Sequence, residues 1–568
     1  MTDRTAPQNH HRTVLLRGGE VHSPADPFAT AMVVERGHVA WVGSEGAADA
    51  FASGVDEVID LEGALVTPAF TDAHVHTTAT GLALTGLDLS GARSLTEALD
   101  LIRAHRADHT ADHSHRAADA NVDAHTHPDP RSGDRVLLGH GWDSTRWPEQ
   151  RPPSRAELDD AAGARPLYLP RVDVHSAVVT TALLDLVPGV TSLTGYHPDA
   201  PLTGAAHHAV RAAAHAAVTP RQRTEAQRAA RHRAASLGIG ALHECAGPDI
   251  SDEEDFTSLL ALAAEEPGPR VHGYWAEHIT DEKGARRVRE LGAVGAAGDL
   301  FVDGSLGSHT AALHAPYADA PHTGTAHLDA AAVAVHVVAC TEAGLQAGFH
   351  AIGDAAISMV VAGVRAAAER LGLARIRAAR HRVEHAEMLT PETIAAFAEL
   401  GLTASVQPAF DAFWGGEDGM YARRLGAERA RTLNPYAALL RAGVPLAFGS
   451  DSPVTPLDPW GTVRAAAFHR TPEHRISVRA AFTAHTRGGR RAVGRDDAGT
   501  LVPGAPADYA VWRTGELVVQ APDDRVSRWS TDPRSGTPGL PDLTPGRPLP
   551  ECLRTVVAGQ TVFVRPNE

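Results

Sequence analysis

The feature that most constrains this chain is an alternation of strand and helix signals. Eight β-forming runs recur along its middle: "GALVTPAFTDAHVH" (63–76), "GALHECA" (240–246), "RVHGYWAE" (270–277), "DLFVDGS" (299–305), "AGFHAI" (347–352), "HRVEHAE" (381–387), "LTASVQP" (402–408) and "PLAFGSD" (445–451). Helical stretches separate most of them, among them the alanine-dense Ala330 to Gln346 and Asp354 to Leu371. Such alternation predicts a parallel sheet with crossover helices, an α/β architecture. Eight units is the count that closes a (β/α)8 TIM-type barrel, placed over residues 67–494. The gap between the first two runs, 77–239, far exceeds one crossover, so it predicts an inserted subdomain at about 85–220. Inside it, 104–130 is polar, His-rich and of low complexity, which reads as a disordered surface loop. Both ends of the chain are β-rich. The runs "TVLLRGGEV", "AMVVERGHVAWVG", "LVPGAPADYAVW" and "LRTVVAGQTVFV", the last with Gly559 at a hairpin turn, predict one small β-sandwich assembled from 1–66 plus 495–568.

Composition narrows the function classes. At 568 residues and 43% hydrophobic content the chain can bury a sizeable core, and no run approaches the roughly 20 apolar residues of a membrane span. Its first residues show no apolar signal segment, so the expected compartment is the cytoplasm. Cys245, Cys340 and Cys552 lie far apart and predict neither a disulfide framework nor a cysteine-rich zinc site. A net charge of −17 disfavours nucleic acid and anionic membranes as partners. A small-molecule substrate is left as the expected partner, with a homodimer as the reasonable assembly. Almost every basic side chain is arginine; the sole lysine is Lys283, in the turn-like "TDEKGARR".

The chemistry gathers at strand ends. In "DAHVH" alternate side chains share a face, so His74 and His76 project the same way and can bind one ion through neutral imidazoles. In a chain with 33 histidines an H-x-H pair alone carries little weight. However, His350, His385 and Asp451 recur near the C-terminal ends of other strand candidates, on the rim where barrel enzymes carry their catalytic groups. Each histidine taken singly reads as a core or surface residue; the set of five reads as a metal site.

These residues, with "VTPAFTDAHVH", "FGSDSP" and the tail "LVPGAPADYAVW", resemble the amidohydrolase superfamily of metal-dependent hydrolases. The stretches 139–179, "FVDGSLGSHTAAL" and "GFHAIGDAAI" are similar to its YtcJ-like branch, which includes N-substituted formamide deformylases. The resemblance implies an α/β barrel with a terminal β-sandwich, a divalent metal at the barrel mouth, and hydrolysis of a C–N or related bond. It makes His74, His76, His350 and His385 ligands and Asp451 the eighth-strand carboxylate. A zinc-type ion so held brings the pKa of its water to about 7 and polarises a carbonyl. Asp451 can then take the water's proton and pass it to the leaving nitrogen. Mixed imidazole and carboxylate ligation suits Zn, Mn, Fe or Co.

In many relatives a carboxylated lysine on the fourth strand bridges two metals, and here Asp299 stands at its place. With Lys283 in a polar turn before the strand, a carbamate bridge is excluded. Three placements stay open for Asp299: a carboxylate bridging two ions, a contact to one ion through water or a ligand, or a solvated strand end. Alternation puts Asp299, Phe301 and Asp303 on one face of that strand. Asp303 either binds substrate or closes a tight turn with Gly304 and Ser305. His175 and Trp142, from the inserted subdomain, are candidate pocket residues, a buried structural Trp being the other fate of the latter. Asp354 is placed to cap the helix that begins there, and Glu384 and Glu387 point away from His385 and are not counted as catalytic. The expected function is hydrolysis of a small amide, formamide or cyclic amide. A mononuclear deaminase of the same superfamily is the alternative, weakened by Gly353 where such enzymes carry a glutamate. A non-catalytic scaffold on the same barrel is the other.

Overall fold

The computed structural model describes residues 12–106, 136–144, 147–163, 165–171, 176–520, 529–530 and 538–566. From residue 107 on, the His-rich tract 104–130 lies outside the described residues, as does His175.

Eight strands form one parallel sheet in sequence order: Phe70–Val75, Ile239–Ala246, Arg270–Trp275, Gly295–Ala296, Gln346–Ala351, Arg382–His385, Thr403–Val406 and Leu446–Phe448. Most of their residues are buried on both faces, as a barrel wall covered by crossover helices requires. The first and eighth strands close the ring through a parallel bridge between Val75 and Ser452. There Asp451 N–H donates to His74 O at 2.8 Å and His76 N–H donates to Ser452 O at 3.0 Å. Asp72 stitches the same seam, accepting from Ser450 N–H (2.9 Å) and His74 N–H (3.2 Å) through Oδ1. A Cβ at Gly449 would sit 2.5 Å from His74 N, so the glycine of "FGSD" allows the two strand ends to meet. The two alanine-rich helices are Ala330–Ala343 and Asp354–Leu371, the first three residues shorter than expected.

Two departures from the expected strands matter. The run 63–76 is two strands, not one. Leu65–Pro68 joins a sheet of the β domain and Phe70–Val75 joins the barrel, the break falling at Ala69, whose N–H donates to Asp508 O at 3.0 Å. The fourth strand is only Gly295–Ala296, not 299–305. Gly298, at φ 87°, turns the chain before Asp299, and strand character returns only as a bridge between Phe301 and His350. Lys283 lies in the first turn of the helix Glu282–Glu290 and is exposed.

The β domain draws on both ends of the chain. One sheet orders His38–Gly43, Ala31–Glu35, Thr13–Arg17 and Glu57–Asp60; the other orders Glu20–Val21, Leu65–Pro68, Tyr509–Arg513, Glu551–Val557 and Gln560–Val564. Leu16, Met32 and Val34 from the first pack with Val66, Tyr509, Val511 and Val556 from the second in one apolar core. The last hairpin turns at Ala558 and Gly559, both at positive φ, as a tight two-residue connection requires.

Residues 78–230 form a second compact unit. Its four-stranded sheet orders Ala177–Val179, Leu167–Pro170, Leu137–His140 and Leu87–Asp88. Trp142 and Trp147 pack into its core with Leu158, Leu167 and Leu169. Among the described residues, no helix is long and apolar enough to cross a membrane.

Candidate metal centre

Because all eight strands are parallel, the side chains at their C-terminal ends converge on one rim. His74 and His76 come from the first strand end, Asp299 from just after the fourth, His350 and His385 from the fifth and sixth, and Asp451 from just after the eighth. His385 and Asp451 both hold positive φ, 68° and 55°, which costs backbone energy and turns each side chain off the strand path.

Asp299 lies at the centre of the group and divides its oxygens. Oδ2 faces His74 Nε2 (3.4 Å) and His76 Nε2 (3.3 Å), while Oδ1 faces His350 Nδ1 (3.4 Å) and His385 Nε2 (3.5 Å). Asp451 Oδ1 joins the first pair, 3.1 Å from His76 Nε2 and 3.5 Å from His74 Nε2. His74 Nε2, His350 Nδ1, His385 Nε2 and Asp299 Oδ1 are buried and have no hydrogen-bond partner. Buried polar atoms are rarely left so. Donors about 2.0–2.1 Å from one tetrahedral ion stand roughly 3.3 Å apart, and the spacings here, 3.1–3.5 Å, match. The donor set therefore fits small divalent ions of the Zn, Mn, Fe or Co kind.

The opposite nitrogen of three imidazoles is fixed by an acceptor. His74 Nδ1–H donates to Glu384 Oε2 at 2.9 Å, His385 Nδ1–H donates to Gln407 Oε1 at 2.9 Å, and His350 Nε2–H donates to the Gly304 carbonyl at 3.3 Å. Such partners fix the tautomer and leave the other nitrogen bare toward the metal. Sequence reasoning misses Gln407 and the Gly304 carbonyl, and takes Glu384 only as a non-catalytic residue beside His385. The signal for Glu384 was present in "HRVEH", where a buried strand carries Arg382 and Glu384 two apart on one face. Glu384 does turn away from His385, but it turns onto His74. Burial alone would raise its carboxyl; Arg382 and then His74 outweigh this and hold it down at about 2. Burial likewise lowers the His76 imidazole, and Asp299 and Asp451 outweigh that, raising it well above its ordinary value.

Asp303 is not among these side chains. Its Oδ2 accepts from Ala312 N–H and Gly353 N–H, each at 2.8 Å, and its Oδ1 accepts from Ile352 N–H at 3.0 Å. With its two oxygens accepting from three backbone amides, it pins the 303–312 loop to the end of the fifth strand, a structural role for a residue whose two expected ones were substrate binding and the turn with Gly304 and Ser305. Trp142 takes the structural of its two roles: it is 1% exposed and its indole N–H donates to Leu169 O at 2.9 Å. At the start of the helix after His350, Gly353 holds the N-cap position and Asp354 is the first helical residue; its Oδ1 accepts from the helix's own Ala355 N–H at 3.0 Å and from His314 N–H at 2.9 Å. A Cβ at Gly353 would sit 2.0 Å from the Ala312 carbonyl oxygen, so the position has no room for the glutamate a deaminase of this superfamily carries.

A closed parallel barrel with a terminal β domain and a rim of four imidazoles and two carboxylates is the architecture of a metal-dependent hydrolase. The chain belongs to the Amidohydrolase family, whose profile matches residues 57–563, and to its YtcJ-like branch. It is 26% identical over 517 residues to the putative amidohydrolase YtcJ of Bacillus subtilis, covering 85% of this chain and 90% of that one. It is 29% identical over 526 residues to the protein LONG AFTER FAR-RED 3 of Arabidopsis thaliana, covering 86% and 84%. Among solved structures, an uncharacterized metal-dependent hydrolase from Pyrococcus furiosus superposes with a TM-score of 0.71 at 25% identity, over 88% of this chain and 98% of that one.

Proposed function

We propose that this protein hydrolyses the C–N bond of a small amide, formamide or cyclic amide with the help of divalent metal, which His74, His76, Asp299, His350, His385 and Asp451 would hold. The observation that carries the reading is the division of the Asp299 oxygens. One faces His74 and His76 beside Asp451, the other faces His350 and His385, so two donor groups share one carboxylate. A side chain much shorter than a carboxylated lysine can do this because the turn at Gly298 carries Asp299 inward, past the end of its short strand. Divalent ions held there supply the positive charge that acidifies water and polarises a carbonyl.

The chain's own groups account for the proton. Asp451 is buried beside both first-strand histidines, and its carboxylate can accept the proton that water loses as its oxygen bonds to the acyl carbon. When the C–N bond breaks, that proton goes to the leaving nitrogen, and the products are a carboxylic acid and an amine. Phe301 packs on His350 and Phe410 stacks on His385, ring centroids 4.8 and 5.9 Å apart, which lowers the local dielectric and strengthens every charge interaction at the rim.

The test is hydrolysis of a panel of N-formyl and N-acyl amines by protein loaded with Zn or Mn. Turnover that falls by about 10²- to 10⁴-fold in Asp451→Asn supports the reading. No turnover of any amide by metal-replete protein overturns it in favour of a non-catalytic role.

A further inference from the structure

Arg382 is fully buried in the barrel, below the rim, and each of its three guanidinium nitrogens has a hydrogen-bond partner there. Its Nε and Nη2 hold the two oxygens of Glu384. Nη2 also donates to the Ala73 carbonyl (2.6 Å) and to Ser405 Oγ (2.8 Å), and Nη1 donates to His243 Nδ1 (3.2 Å). The guanidinium lies over the Tyr274 ring, 4.4 Å from its centroid. Four side chains and one carbonyl, each from a different one of five barrel strands, thus fix one cation in one orientation.

The contact that matters is at Glu384 Oε2, which accepts from both Arg382 Nη2 (2.9 Å) and His74 Nδ1 (2.9 Å). A bidentate guanidinium sets the plane of a carboxylate, and that plane sets where the His74 ring must stand to reach it. It also balances the charge, since a buried carboxylate stripped of its cation is strongly unfavourable and reorganises.

We infer that Arg382 is a positioning residue for the metal centre: acting through Glu384, it holds His74 with Nδ1–H engaged and Nε2 bare, and so sets the affinity of the His74–His76–Asp451 position for its ion. The inference rests on the reading of these residues as ligands.

The test uses the full-length chain, stripped with chelator and reloaded with Zn. Stoichiometry comes from elemental analysis, affinity from competition with a chromogenic chelator, and fold integrity from the melting temperature of the stripped protein. Arg382→Met is expected to weaken one of two equivalents by about 10- to 100-fold, and Glu384→Gln by a similar factor. The double variant should be no worse than the weaker single one, because the arginine acts through the glutamate. Arg382→Lys, a point charge without the fork, should recover part of the affinity. An Arg382→Met protein that folds and binds both equivalents as the wild type does overturns the inference, as do losses that simply add in the double variant. If Arg382→Met does not fold, Ser405→Ala, which removes one anchor of the guanidinium, must weaken the same equivalent and spare the other; unchanged affinity overturns the inference. A wild-type chain that takes up no ion overturns the metal reading itself, before any variant is compared.

Discussion

Two aspartates four positions apart, alike in sequence, have opposite surroundings. Asp299 faces imidazole nitrogens with a bare oxygen, whereas both oxygens of Asp303 accept from backbone amides. Their substitutions should therefore separate cleanly. Asp299→Ala should lower bound metal from two equivalents to one while the stripped protein melts near the wild-type temperature; elemental analysis and thermal denaturation read the two effects. Asp303→Ala should do the reverse. It strips three buried amides of their acceptor at a cost of about 1–3 kcal/mol each way the loop can respond, with metal stoichiometry retained. A lowered metal count in Asp303→Ala with unchanged stability would show that the loop it pins, not the amides, is what the site depends on.

At the scale of elements, the small residues at strand ends decide what can meet. Gly353 lies against the Ala312 carbonyl, and Gly353→Ala should cost about 1–3 kcal/mol by overpacking, measured as a fall in denaturant midpoint. The eight-unit alternation was legible in the sequence because buried strands and alanine-rich helices differ so sharply in residue type. So was the grouping of His74, His76, His350, His385 and Asp451, since side chains at the ends of parallel strands share one rim. The fourth strand was not, because "DLFVDGS" has the apolar content of a strand, and what breaks it is the turn at Gly298, one residue upstream. Glu384 escaped for a related reason. Strict alternation sends it away from His385, and only the closed ring brings the first strand's His74 round to meet it. Alternation along one strand describes that strand's two faces; which residues of other strands share those faces is a property of the barrel.

For the whole molecule, ion binding and folding are linked. Ions that bind only the folded chain should stabilise it by about 1.4 kcal/mol for each tenfold of free ion above the dissociation constant, read as a rise in melting temperature that excess chelator reverses. The same stripped protein makes a second property visible. His22, His336 and His485, each held at about 4, and His381, at about 3, are pushed down first of all by burial, so the folded chain keeps them neutral well below the usual imidazole range. An unfolded chain takes up a proton at each of them near 6.5. Between those values the unfolded state binds more protons, so stability falls as pH falls, by on the order of 1–2 kcal/mol per buried histidine at pH 5. The loss begins just below neutrality and is complete only once the folded-state values are passed, near pH 3–4. Buried Glu244 and Glu387, pushed up to about 7, act in the opposite sense over this range, so the measurement is a comparison: between pH 7 and 5 the metal-free wild type should lose stability relative to His381→Gln, at a site where the ring bridges Thr341 Oγ1 and Ala347 N–H, by one histidine's share. The same pH dependence in wild type and His381→Gln would mean that the His381 imidazole takes up its proton in the folded chain, against its burial.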